Sequence, residues 1–183
     1  MKRAFWMVAW AGALVCLGGG SRAEDKDSKG AVVELDEVKS AVPADWKKGE
    51  AKGLRYAQFR VPRADGDEAD AELIIFKGLG GTVKQNVDRW KGQFIPPEGK
   101  TLDDVSTLKK MKVGGYSATY LDVRGTYRDM MPGSTKVTKR PGYRMLALQV
   151  DGDQKPYHII LRGPAKTIEK HKKEFDDWLK AFK

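Results

Sequence analysis

Asn86, Arg89 and Gln93 recur at spacings of three and four residues, the spacing that lines side chains up on one helix surface. Two amides and a guanidinium on such a stripe make a hydrogen-bonding site. Arg89 would hold an anion through its planar fork, and the amides would fix the orientation of whatever it holds. Trp90 lies beside them, and Gly78-Leu79-Gly80-Gly81 leads into the same segment. Asn86, Arg89, Trp90, Gln93, Gly80 and Gly81 are therefore the candidate binding residues. A structural reading stands beside the functional one, in which the stripe only secures the helix to neighbouring loops. The glycines also raise phosphate binding, because amides at a helix start attract anions. Val83, however, stands where a dinucleotide fingerprint needs its third glycine, and no glycine-lysine-serine/threonine follows. A tight connection is the plainer account of that turn.

The other reactive side chains form no catalytic constellation. His158 falls in a strand pattern and is expected to face solvent or a covering helix; His171 lies among lysines on an expected solvated helix face. Ser117 lacks the glycine two residues later that a nucleophile elbow requires, and no zinc-protease His-Glu-x-x-His is present. Asp103-Asp104 and Asp176-Asp177 are adjacent pairs. Neighbours point to opposite faces of a strand and diverge by about 100° on a helix, so they make poor acid–base partners. The acidic run from Arg63 to Asp70 lacks the order and the closing glutamate of an EF-hand calcium loop. Met130-Met131 has the soft thioethers that copper(I) prefers, with no third ligand in view. The expectation is no catalytic residue, no metal and no cofactor.

The elements that must position the stripe are legible on either side of it. Ala71 to Lys77 puts Leu73 and Ile75 on one strand face and Ile74 and Phe76 on the other, which predicts an interior strand. After the glycines, Thr82 with Gln85 forms a capping-box signature. Val83, Val87, Trp90 and Phe94 then fall within roughly 60° of one another, a buried helix face. The polar stripe lies about 90° round from it, where the helix would leave the core and meet solvent. Ile95-Pro96-Pro97-Glu98-Gly99 stops the helix.

Upstream, Val32 to Leu35 reads as a short strand, and Pro43-Ala44-Asp45-Trp46 as a turn that sets an aromatic anchor on the core. Arg55 to Pro62 alternates, with Ala57, Phe59 and Val61 inward. Downstream, Val105 to Val113 and Tyr116 to Arg124 flank Gly114-Gly115, a hairpin signal. Residues 125–142 show no apolar period and carry Lys136, Lys139 and Arg140, so they are expected to be a long basic loop and a second candidate contact. Tyr143 to Val150 and Tyr157 to Arg162 are the last strands. Gly163-Pro164 opens a final helix whose Ile168, Phe175, Leu179 and Phe182 share one face.

Residues 1–23 read as an export signal: Lys2-Arg3, an apolar run from Ala4 to Leu17, and a Ser21-Arg22-Ala23 cleavage site before Glu24. Fourteen apolar positions are too few to span a bilayer comfortably. Val15 before Cys16 argues against lipid attachment. Cleavage would remove the only cysteine, so the mature domain would have no disulfide or thiolate site. It would also take three of the 34 basic residues and none of the 25 acidic ones, leaving a formal charge of +6. Residues 24–30 read as a flexible leader and 31–183 as one domain, expected to be a monomer. The positive charge suits anionic surfaces, but its scatter, together with export, argues against nucleic acid.

The order of elements, the Val-Pro-Ala-Asp-Trp start and the Asn86-Val87-x-Arg89-Trp90 helix make the chain resemble the PsbP-like superfamily of small α/β/α sandwiches. It is similar above all to exported bacterial proteins of unassigned activity that share the segment from Gly80 to Gln93. The resemblance covers most of residues 31–183. It implies an α+β fold, an antiparallel β-sheet flanked by helices, and a binding or accessory role. The metal sites and photosystem partners of better-known members rest on residues that find no match here. The expected function is a periplasmic or extracellular, non-catalytic binding domain of the cell envelope, with an envelope protein or anionic polymer as partner. A hydrolase or lyase acting on envelope polymer, or a carrier of a small apolar ligand, is the alternative.

Overall fold

The computed structural model describes residues 30–130 and 136–183. The expected export signal, Cys16 and Met131 lie outside the described residues. A hairpin of β1 (Val32–Leu35) and β2 (Val38–Ala41) precedes the main sheet. That sheet contains β3 (Lys47–Lys48), β4 (Arg55–Val61), β5 (Ala71–Lys77), β6 (Phe94–Ile95), β7 (Ser106–Val113), β8 (Tyr116–Met130), β9 (Val137–Val150) and β10 (Tyr157–Pro164). Its order is β3-β4-β5-β10-β9-β8-β6, every pairing is antiparallel, and β7 shares with β6 the outer edge of β8. Two helices complete the chain, α1 (Val83–Lys91) and α2 (Ala165–Lys180). The fold is α+β, as the sequence predicts.

Strand alternation assigns each face its helix. Leu73, Ile75, Ile159, Leu161, Leu146 and Leu148 pack with Ile168, Phe175, Trp178 and Leu179 of α2, and Trp46 joins them, stacked on Phe175 at 6.5 Å. On the opposite face Leu121, Val123, Met145 and Ala147 pack with Val87 and Trp90 of α1. Three layers result, helix on sheet on helix. β5 lies between β4 and β10 with Leu73, Ile74 and Ile75 all buried, the interior strand its two apolar faces predict.

Three expectations are corrected. α1 ends at Lys91 with Gly92 as its C-cap, so Phe94 reaches the core from β6, paired with Tyr127, and not from the helix. Residues 125–142 are mostly strand: β8 and β9 run on as a long hairpin, bent where the register shifts between Gly125 and Tyr127. Polar side chains on both faces of this extension hide its period. Third, His171 is buried on α2, where Nε2 meets the Pro62 carbonyl at 2.8 Å and Nδ1 meets Glu174 at 2.7 Å. The acidic turn before β5 turns out to be a helix cap. Pro164 offers α2 no side-chain cap, and Asp67 accepts instead from the Thr167 amide at 2.8 Å and from its hydroxyl at 2.6 Å.

Candidate functional site

The capping box starts α1 where the sequence places it: Thr82 Oγ1 accepts from the Gln85 amide at 3.2 Å, and Gln85 Oε1 from the Thr82 amide at 2.8 Å. Helix periodicity then separates the polar stripe into two roles. Asn86 turns inward and is fully buried, which corrects its expected place at the solvent boundary. Its Nδ2 donates to Gln149 Oε1 at 2.8 Å and to the Gly81 carbonyl at 3.3 Å, and lies 3.2 Å from His158 Nε2. The glycine turn is held from beneath by this amide. Gly81, at φ +103°, adopts the backbone its lack of a Cβ permits.

Arg89, one turn on, is exposed, and its guanidinium makes no hydrogen bond or ion pair with the described residues. Gln93 lies past the helix end, its Nε2 on the Arg89 carbonyl at 3.3 Å. Trp90 is buried, edge-on to His158 with ring centroids 5.7 Å apart. Asn86 and the bulk of Trp90 are therefore supports, while Arg89 and Gln93 reach solvent.

What the sequence could not join is the ground beside them. In the α1 face of the sheet, register aligns Phe76 with His158, Ile74 with Ile160, and Glu72 with Arg162. Arg60 stands opposite Glu72 in the next strand. α1 covers only part of this face. Next to it a recess of about 370 Å³ is lined by Gly80, Arg89, Trp90, Gln93, Phe76 and His158, together with Arg55, Met130 and Arg162. A second recess of about 490 Å³ shares Arg55, Met130 and Arg162 and adds Arg60, Glu72, Tyr127, Asp129, Arg140 and Tyr143. The two form one groove between α1 and the β8–β9 hairpin. It joins the helix candidates Gly80, Arg89, Trp90 and Gln93 to one loop candidate, Arg140. Lys139 lies in β9 opposite Arg128, Lys136 precedes that strand, and neither lines the groove.

Five arginines face three carboxylates, Asp70, Glu72 and Asp129, along this groove. Most are engaged. Arg162 bonds Glu72 at 3.0 Å and also the Tyr127 hydroxyl, Arg140 bonds Asp129 at 2.8 Å, and Arg55 bonds Gln58. Arg89 is the uncommitted cation among the described lining residues. Tyr127 and Tyr143 stack at 5.9 Å on the groove wall. His158 at the floor is neutral: burial, then the charge of Arg89, pushes it down from the usual 6.5 to about 4. His158 Nε2 lies against the Asn86 amide, and Nδ1 has no partner among the described residues. The groove thus presents guanidinium, carboxamide and aromatic hydroxyl donors beside three carboxylates. Arg55, Glu72, Tyr127 and Arg162 were not singled out from sequence. Two-residue alternation places Arg162 on the face of His158 and Glu72 on that of Phe76, and only the β5–β10 pairing unites the faces.

No protein-family model and no curated protein matches this chain. Among solved structures, its fold is similar to cyanobacterial PsbP (CyanoP) from Synechocystis sp. PCC 6803. The identity is 16%, covering 90% of this chain and 97% of that one, with a TM-score of 0.50. A Pseudomonas aeruginosa protein of unknown function aligns at 11% identity, over 80% of this chain and 91% of that chain, with a TM-score of 0.43. A Bacteroides thetaiotaomicron protein aligns at 15% identity and a TM-score of 0.43, over 86% of this chain and 48% of its own length. The fold is PsbP-like. At identities this low the likeness concerns the fold alone.

Proposed function

We propose that this chain is an exported, non-catalytic binding domain of the cell envelope, and that the groove beside α1 holds an anionic chain. The uncommitted Arg89 carries the reading. It stands over a recess that it shares with Arg55 and Arg162, the adjoining recess adds Arg60 and Arg140, and along this groove the excess of cations over carboxylates favours an anion. Gln93 and the tyrosine wall supply donors and flat apolar surface along the same track. An open groove lined by arginine supports an anionic partner over an apolar cargo. His158 is buried and held by Asn86, which supports binding over acid–base chemistry. Export rests on the amino-terminal sequence pattern.

The test is titration of the protein with two defined polyanions, inorganic polyphosphate and poly-glutamate, at several salt concentrations. Binding that weakens as salt rises, and that Arg89→Glu reduces at least about tenfold, supports the groove. Equal affinity in wild type and variant, or no binding to either polymer, rejects it.

A further inference from the structure

On the opposite side of the sheet, Asp45, His171 and Glu174 bring three potential ligand atoms within 4.8 Å of one another. We propose that they form a site for a divalent transition-metal ion, Zn²⁺ by preference, that fastens α2 to the turn before β3. The imidazole is already arranged as a ligand. His171 is buried, and its Nε2 donates to the Pro62 carbonyl at 2.8 Å, which leaves Nδ1 as the ring nitrogen that faces the carboxylates. A backbone carbonyl behind a ring nitrogen is the outer support that orients histidine ligands in metal sites.

Nδ1 points at Glu174 Oε2, 2.7 Å away. A metal ion would take the place of the proton that otherwise bridges them, and Asp45 supplies the second carboxylate. One nitrogen and two oxygens suit Zn²⁺ with water as fourth ligand, at ligand distances of about 2.0–2.2 Å. Both carboxylates are exposed, so they are free to rotate inward by the last ångström, while the buried ring stays fixed.

Position gives the site its consequence. Asp45 belongs to the turn that seats Trp46, whose ring lies 6.3 Å from that of His171. Pro62 directly follows β4, and His171 and Glu174 are one turn apart on α2. An ion here would tie three segments distant in sequence, in a domain with no cysteine after residue 16.

The experiment uses full-length, tag-free protein stripped with chelator and titrated with Zn²⁺, Co²⁺ and Mg²⁺. Zn²⁺ at a hundredfold excess over its Kd should raise the melting temperature by about 5–10 °C. Co²⁺ should give visible d–d absorption at one equivalent, and Mg²⁺ at the same concentration should do nothing. Asp45→Asn and Glu174→Gln should each weaken Zn²⁺ binding at least about tenfold while the metal-free proteins melt as wild type does. Should Glu174→Gln lower the metal-free melt, Asp45→Asn alone decides. No Zn²⁺ shift, an equal shift in the variants, or an equal response to Mg²⁺ would each overturn the site.

Discussion

Asn86 and His158, 72 positions apart, meet at 3.2 Å beneath α1, where the amide nitrogen faces Nε2 of the ring. The same amide serves Gln149 and the Gly81 carbonyl. Asn86→Ala removes the partner of buried Gln149 and leaves buried His158 without its neighbour. We expect it to cost about 2–3 kcal/mol, the penalty for unpaired buried polar groups. A urea unfolding midpoint measures this, and a midpoint within error of wild type would contradict the buried network.

Arg89→Ala should behave in the opposite way. The guanidinium bonds nothing among the described residues, so unfolding should shift by no more than about 0.5 kcal/mol. Polyanion affinity should fall in the same protein. A large loss of stability instead would assign Arg89 to the scaffold.

His158 makes stability depend on pH. Its folded value of about 4 lies below the usual 6.5, so between these values the unfolded chain binds more protons. Stability therefore rises with pH across that window and is lost as pH falls through it, by up to on the order of 3 kcal/mol from this group. Chemical denaturation at pH 7, 5.5 and 4.5 should follow that slope, and His158→Gln should flatten it. An unchanged slope in the variant would assign the acid sensitivity to carboxylates.

Gly125 tests the hairpin wall of the groove. It sits at φ +152° at the register shift in β8, and an added Cβ would come within 2.5 Å of the Ile95 carbonyl oxygen. Gly125→Ala should cost about 1–3 kcal/mol and loosen the pairing of β6 with β8. Amide hydrogen exchange at Phe94–Ile95 and Thr126–Tyr127 would locate the damage, and wild-type protection there would refute it.

Local chemistry made the scaffold readable. Thr82 and Gln85 announce the start of α1, Gly114-Gly115 announces the β7–β8 turn, and the alternation of Arg55 to Val61 marks a strand. Each signal lies within a few residues of what it specifies. The groove does not. Arg89 and Arg162 line one recess only because β10 pairs with β5 in one register, and a single sequence contains no trace of that pairing. Asn86 was misplaced for a related reason. Its angle on α1 sits at the edge of the buried face, and whether an edge residue is covered depends on Gln149 and His158, which arrive from other strands. His171 was misread because lysines on either side of it suggested solvent, while Pro62 and Trp46 close over it from distant turns.

β7 forms an outer edge of the sheet, and its exposed residues include Lys109, Lys110 and Lys112. An open strand edge is a template for another chain, and a second copy docking antiparallel along it would set these ammonium groups against their own kind. Like charges at strand spacing repel, and stripping water from them adds to the penalty. The edge that leaves backbone groups unpaired thus carries its own guard against fibre growth. Replacing those lysines would put the protein's resistance to self-assembly at risk before it touched the fold.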